Sequence, residues 1–191
     1  MKSTAFAAAP LDPYAERITT GIALLGGILM LPPLFLFLSQ ILLAGVAVTG
    51  VVIMVAVALA LAAWLVLNYA VQPISYEIGQ ERLVIRRRWA RSLRIPFTEI
   101  TGVSLAVGLA DVPRFGLRRS FNAGVFGYHG PFQLHPYGAV FFAATNRERL
   151  VAVARLDRPP LILSPAHPRA FVDALREELT RQPMSPSTPT T

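Results

Sequence analysis

Three groupings of side chains in this chain have types and spacings that could do chemistry. The first is arginine: Arg86, Arg87 and Arg88 form a run, and Arg118 and Arg119 follow closely after Arg114. Guanidinium groups hold phosphates and carboxylates through charge-assisted, two-pronged hydrogen bonds. Arg86, Arg88, Arg114, Arg118 and Arg119 are therefore a candidate basic face for anionic lipid headgroups or an acidic partner. Alternate residues of a strand share a side, so Arg86 and Arg88 point one way and Arg87 the other. The run makes a single patch only where the strand end is irregular; otherwise the arginines are a generic basic surface. The second grouping is His129 and His135, six apart around Pro131. With a carboxylate they would offer zinc ligands, but the spacing matches no ligand pattern, and the segment reads as loop. The third is Ser120, Asp111 and His129, the residue types of a hydrolytic triad. No nucleophile-elbow sequence surrounds the serine, so hydrolase chemistry is not expected.

Other chemistries fall away on composition. The chain has no cysteine, which excludes disulfides, thiolate catalysis and Cys-based zinc sites. Gly124, Gly127 and Gly130 recur every third residue, but no strand-to-helix context makes them a dinucleotide fingerprint. They read as bulges or points of close backbone approach. We expect no catalytic residue, no metal and no cofactor. The basic balance would suit nucleic acid, yet aromatic residues are not interleaved with Lys and Arg as a recognisable module, and no nucleic-acid partner is expected.

The elements that must position these residues begin with a charge-free stretch. Residues 18–76 contain no Asp, Glu, Lys, Arg or His. A hydrocarbon slab about 30 Å thick takes roughly 20 apolar residues per helix, so the stretch is long enough for two crossings. The first span is expected at residues 18–38, with a kink at Pro32 and Pro33. The second is expected from about 41 to 67, with the turn at Ser39 and Gln40; a turn at the prolines would leave too short a first helix. Neither span holds an ionisable group, so the hairpin reads as an anchor without a conduction pathway. Gly45, Thr49, Ala56, Ala60 and Ala63 are small residues that fill a bundle face or admit a partner helix.

Orientation follows from the basic flanks. Lys2 and Arg17 precede the hairpin; Arg82, Arg86, Arg87, Arg88, Arg91 and Arg94 follow it; the short connection has none. The positive-inside rule predicts both termini in the cytoplasm, with Trp64 and Tyr69 in the aromatic belt on that side. Residues 5–10 lack an apolar core long enough for a signal peptide, and no cleavage is expected. The net charge of +7 lies wholly in residues 77–191, where 16 arginines face 9 acidic residues. The predicted organisation is a cytoplasmic N-terminal segment at 1–17, a two-helix transmembrane hairpin at 18–71, a polar domain at 72–181 and a disordered tail at 182–191.

Within the polar domain, short apolar runs punctuated by turn residues predict strands at 74–78, 83–88, 91–97, 100–107, 121–128, 139–144, 150–155 and 161–163, expected to be antiparallel. The period then changes. Phe171, Val172, Leu175 and Leu179 recur on one helical face, starting after Ser164 or at Pro168. One helix closing a small barrel or sandwich is the economical way to cover such a sheet.

This layout resembles the bacterial pleckstrin-homology-like domains of the membrane-anchored type. The resemblance is carried by the hairpin from Tyr76 through Gly79-Gln80 to Leu83, and by Ile95-Pro96-Phe97-Thr98-Glu99-Ile100. The glycine series, the strand Val140-Phe141-Phe142-Ala143-Ala144-Thr145, and Leu163-Ser164-Pro165 leading to Phe171, Val172 and Leu175 complete it. It implies an all-β PH-like barrel or sandwich of about seven strands capped by a C-terminal helix. It also implies binding or scaffolding and no enzymatic activity. The function expected is a non-catalytic interaction module of the bacterial inner membrane that binds a protein partner, an anionic lipid surface or both. The alternative is an accessory subunit of a membrane complex whose hairpin makes the specific contacts. Homo-oligomerisation stays open.

Overall fold

The structure is a computed structural model that describes residues 3–39, 47–106, 124–134 and 138–181. It opens with a strand, β1 (Thr4–Ala7), followed by two long helices, α1 (Pro13–Ser39) and α2 (Ala47–Val71). The helical stretches Pro13–Phe35 and Val52–Val71 are long and apolar enough to cross a membrane. In an 18-residue apolar section of each, only 6% and 11% of the residues are buried within the chain. α1 starts five residues before the expected span. Asp12 caps it, its Oδ1 accepting from the Ala15 N–H at 2.8 Å, and Pro13 takes the first helical position, where no N–H is needed. The helix continues through Pro32 and Pro33. The expected turn at Ser39 and Gln40 falls on α1's last residue and on the start of a segment outside the described residues.

A run of strands follows: β2 (Pro73–Ile78), β3 (Arg82–Arg87), β4 (Leu93–Pro96), a 3-10 turn at Phe97–Glu99, β5 (Ile100–Leu105), β6 (Tyr128–Leu134), β7 (Gly138–Ala144), β8 (Val151–Arg155) and β9 (Arg158–Leu163). They form two sheets, ordered β1-β2-β3-β4 and β5-β8-β9-β7-β6. The architecture is an open sandwich and not a closed barrel. The final helix, α3 (Pro168–Arg181), packs against β2 of one sheet and β5 of the other. It starts at Pro168, and Phe171, Val172 and Leu175 are its buried face.

Two differences from the expected strands have local causes. The fifth strand is β6 at Tyr128–Leu134, not residues 121–128, so His129 lies on a strand and not in a loop. Pro131 has no N–H for a ladder, and β6 accommodates it because this strand ends its sheet and can leave that side unpaired. The second difference is that β7 and β9 run parallel, Phe141 opposite Leu161 and Ala143 opposite Leu163. The β8–β9 hairpin enters between β5 and β7, which brings β9 alongside β7 in the same direction.

The alternation of side chains builds two cores. Tyr76, Leu83, Ile85, Val153, Leu161, Leu163, Phe171 and Leu175 are buried between the sheets and α3. Tyr128, Phe132, Val140, Phe142, Leu150 and Ile162 form a second cluster on the other face of the second sheet. Leu161 and Leu163 point into the first core and Ile162 into the second, so β9 is buried on both faces, which accounts for its unbroken apolar run. The cover over the second cluster is the start of α1: Ala15 is fully buried there, with Leu11 and Tyr14 beside it. Burying a large apolar side chain contributes about 1.5–3 kcal/mol. The first turn of a helix apolar enough for a membrane is thus part of the domain's own core.

Candidate functional site

The residues joining the domain to the hairpin form the most heavily hydrogen-bonded polar cluster described. β1 adds to the outer edge of β2, with Phe6 opposite Tyr76, and the Phe6 ring meets Phe171 edge-on at 5.4 Å. The chain then runs between the sheets: Ala8 N–H donates to Ile74 O at 3.0 Å and Ala9 N–H to Ser164 O at 2.8 Å. The Thr145 hydroxyl donates to Ala9 O at 2.5 Å, and Asn146 Nδ2 to Pro10 O at 3.1 Å. The Ser164 hydroxyl accepts from the Thr145 N–H at 2.7 Å.

Asp12 is the centre of this junction. Besides capping α1, its carboxylate accepts from the Arg147 backbone N–H at 3.1 Å and from Arg147 Nε at 3.3 Å. The Tyr128 hydroxyl reaches Oδ1 at 3.4 Å. Burial and the Asp12 carboxylate push the Tyr128 phenol well above its ordinary range. The Arg147 guanidinium lies over the rings of Tyr14, at 4.6 Å, and Tyr128, at 5.4 Å. A cation between two rings and a buried carboxylate is already satisfied, so Arg147 serves here as a strut.

A second contact involves the turn before β6. Phe126 N–H donates to the Thr19 hydroxyl of α1 at 2.9 Å, and the Phe126 ring meets Tyr69 of α2 at 5.1 Å. One turn thus touches both helices at their domain ends. Its backbone is unusual: Gly124 has φ +112°, Phe126 +52° and Gly127 +115°. A Cβ on Gly127 would lie 2.6 Å from Ala144 O. Of the glycine series, Gly127 marks close backbone approach, whereas Gly124 lies against the Tyr14 ring. His129 follows, its Nε2 3.2 Å from Phe126 O. Burial pushes it down to about 4, with the nearby Arg87 charge adding to the effect and the Phe126 carbonyl opposing it.

The arginines singled out from the sequence are held in separate ways. Arg86 is paired with Glu77 on β2, and its side chain is 56% exposed. Arg88 lies just beyond β3, with its guanidinium 4.4 Å above the Tyr69 ring. Arg87 is half-buried. Arg114, Arg118 and Arg119 lie outside the described residues, as do His135, Ser120 and Asp111. A different basic grouping emerges from the fold. A cavity of about 690 Å³ beside the start of α3 is lined by Arg147, Arg149, His167 and Arg169 over an apolar floor of Leu105 and Leu150. A smaller one, about 300 Å³, includes Arg17, Tyr14, Asp12 and again Arg147. Arg17, Arg149, His167 and Arg169 are exposed. Together with Glu148, the exposed carboxylate that lines both cavities, they make a mixed but net basic strip running from the first helix to the third. Sequence spacing hid it, because its members come from α1, the β7–β8 turn and the start of α3. Among the described residues no three metal-ligating side chains cluster.

No curated protein and no solved structure matches the chain. The model of one family, described as Bacterial PH domain, matches residues 74–179. That match spans β2 to the last turns of α3, more than half of the 191 residues, and the chain belongs to the bacterial PH domain family.

Proposed function

We propose that this chain is a multi-pass protein of the bacterial inner membrane with both termini in the cytoplasm. In this reading the PH-like domain is a non-catalytic module that binds a protein partner, an anionic lipid surface or both. The observation that carries it is the pairing of β1 with β2. The strand before the hairpin lies beside the strand after it, as a two-crossing hairpin with both flanks on one side requires. The positive-inside distribution of Arg supports the same orientation.

The lipid arm is supported by the position of the basic strip. Arg17 is the fifth residue of α1, and the strip leads from it to Arg149 and Arg169. Each arginine near an anionic leaflet contributes on the order of 1 kcal/mol, screened by salt. The face of Arg86, Arg88, Arg114, Arg118 and Arg119 belongs to the same proposal, with Arg86 and Arg88 already engaged by Glu77 and Tyr69. The test is full-length protein in nanodiscs of phosphatidylcholine with phosphatidylglycerol, followed by native mass spectrometry of retained lipid. Preferential, salt-sensitive retention of phosphatidylglycerol that drops in Arg149→Ala/Arg169→Ala is expected. Equal retention in wild type and variant sinks the strip as a lipid site. A reporter fused after Thr191 tests the orientation, and an extracytoplasmic signal overturns it.

The second reading, an accessory subunit whose hairpin makes the specific contacts, draws on one observation. Ala56, Ala60 and Ala63 of α2 are exposed, while Ala58 is buried. Small exposed residues let a further helix approach closely. Exchange of the hairpin for an unrelated one, with partners captured by crosslinking, separates the two: partners kept by any hairpin exclude this reading.

A further inference from the structure

The turn between β3 and β4 is folded back onto the end of α2. The backbone N–H groups of Trp89 and Ala90 both donate to Ala70 O, at 3.0 and 2.9 Å, and Arg88 N–H donates to Gln72 O at 3.0 Å. Carbonyls in the last turn of a helix have no partner within it, so this turn caps α2 from outside. The cap fixes the level of Trp89 relative to the helix. Its indole meets the Tyr69 ring edge-on at 5.0 Å, while the Arg88 guanidinium covers that ring from another side. Yet Trp89 is 68% exposed, more than any other large apolar residue described. Val66, about one turn before Tyr69 and on the same face of α2, is also exposed. The exposed apolar surface of the helix therefore continues onto the domain through Trp89, flanked by Arg88 and the exposed Arg91.

We propose that Trp89 is an interfacial anchor: it inserts at the headgroup and carbonyl level of the bilayer that α2 crosses and seats the domain against that surface. This rests on the reading that the hairpin spans the membrane. Tryptophan favours that level because its ring is apolar and its N–H is polar. Arginine on either side meets the phosphates above it. A large exposed indole continuous with a lipid-facing helix has its natural occupant in lipid, since a surface patch of this kind is seldom left to water. The domain would then lie on the leaflet, with its orientation fixed at α1 by Asp12 and at α2 by Trp89.

The chain has two tryptophans, so Trp64→Phe leaves Trp89 as the sole emitter. Full-length Trp64→Phe is reconstituted into vesicles of phosphatidylcholine and phosphatidylglycerol and floated on a density gradient. Trp89 emission is then measured with phospholipids brominated high on the acyl chain or near its end, and with aqueous iodide. Blue-shifted emission, strong loss with the shallow bromolipid and weak loss with iodide are expected. Protein that floats but shows red emission, quenched by iodide and untouched by bromolipid, overturns the anchor and leaves the spanning reading intact. Protein that does not float overturns both. Because the chain lacks cysteine, a spin label on Trp89→Cys gives an independent reading. Greater relaxation by oxygen than by a water-soluble nickel chelate supports the anchor, and the reverse overturns it.

Discussion

Asp12 and Arg147 meet across 135 residues of chain, through a backbone N–H at 3.1 Å and a guanidinium Nε at 3.3 Å on the same carboxylate oxygen. The other oxygen caps α1. The pair thereby joins the β7–β8 turn to the first helix, and the Asp12 side chain keeps only 3% of its surface.

Removing this carboxylate should be costly. Asp12→Ala loses a helix cap and leaves a partly buried guanidinium without its anion, together about 2–4 kcal/mol. Asp12→Asn keeps an oxygen for the Ala15 N–H but not the charge, and should lose about half as much. Thermal unfolding of the full chain in detergent, followed by intrinsic fluorescence, checks the order wild type, then Asn, then Ala. An Ala variant as stable as wild type contradicts the role given to Asp12.

His129 should impose an acid limit. Burial holds it neutral, with a pKa of about 4 against an ordinary 6.5. Between those values the unfolded chain binds a proton that the folded one does not, so stability falls as pH drops below 6.5 and the loss is complete near 4. The full shift corresponds to at most about 3 kcal/mol. His129→Gln can still donate to Phe126 O but cannot titrate, and its melting temperature should fall less across that interval. The same acid slope in both proteins would assign it to other groups.

Gly127→Ala combines two penalties. Its φ of +115° is one that L side chains rarely adopt, and the new Cβ would press on Ala144 O at 2.6 Å. A cost of about 2–3 kcal/mol is expected. The strain falls on the turn that touches Thr19 and Tyr69. Limited proteolysis should therefore cut between residues 124 and 127 faster than in wild type; an unchanged cleavage rate speaks against the strain assigned to this turn.

Tyr76→Phe tests the first core. The Tyr76 hydroxyl donates to Ala143 O at 2.9 Å and accepts from Ser164 N–H at 3.2 Å, and burial pushes its phenol up to about 12. The variant keeps the ring and strands both backbone groups, at a cost of about 1–3 kcal/mol. A denaturant midpoint equal to wild type would mean that these bonds contribute nothing.

Much of this fold could be read locally. The two long helices, the β2–β3 hairpin, the β7 and β8 strands and the buried face of α3 each carry their own periodicity. What escaped was set by distant partners. Thr4–Ala7 has no alternation to mark a strand; it is one only because β2 offers an edge. The start of α1 was legible in the Asp12-Pro13 pair, a cap followed by a first-turn proline, but the charge-free stretch drew the boundary to residue 18. Gly130 and Pro131 hid β6. The parallel β7–β9 pair depends on where a later hairpin inserts, which no local pattern states. The basic strip was invisible for the same reason: Arg17, Arg149, His167 and Arg169 are brought together only by the fold, whereas the conspicuous run at Arg86 to Arg88 is divided among different partners.

The pairing of β1 with β2 also bears on the order in which the protein can be completed. During synthesis β1 is made first, yet its partner appears only after both helices. The strand must wait for β2 to be made, and on the proposed two-crossing reading it meets β2 only once the hairpin has left and returned on the same side. A chain with a single helix inserted would hold its first strand and its domain on opposite faces of the bilayer. The edge of β2 and the apolar face over Phe142 would then stay uncovered, open to proteases and chaperones. On that reading, the outermost strand of the sheet would find its partner only in chains with both crossings made.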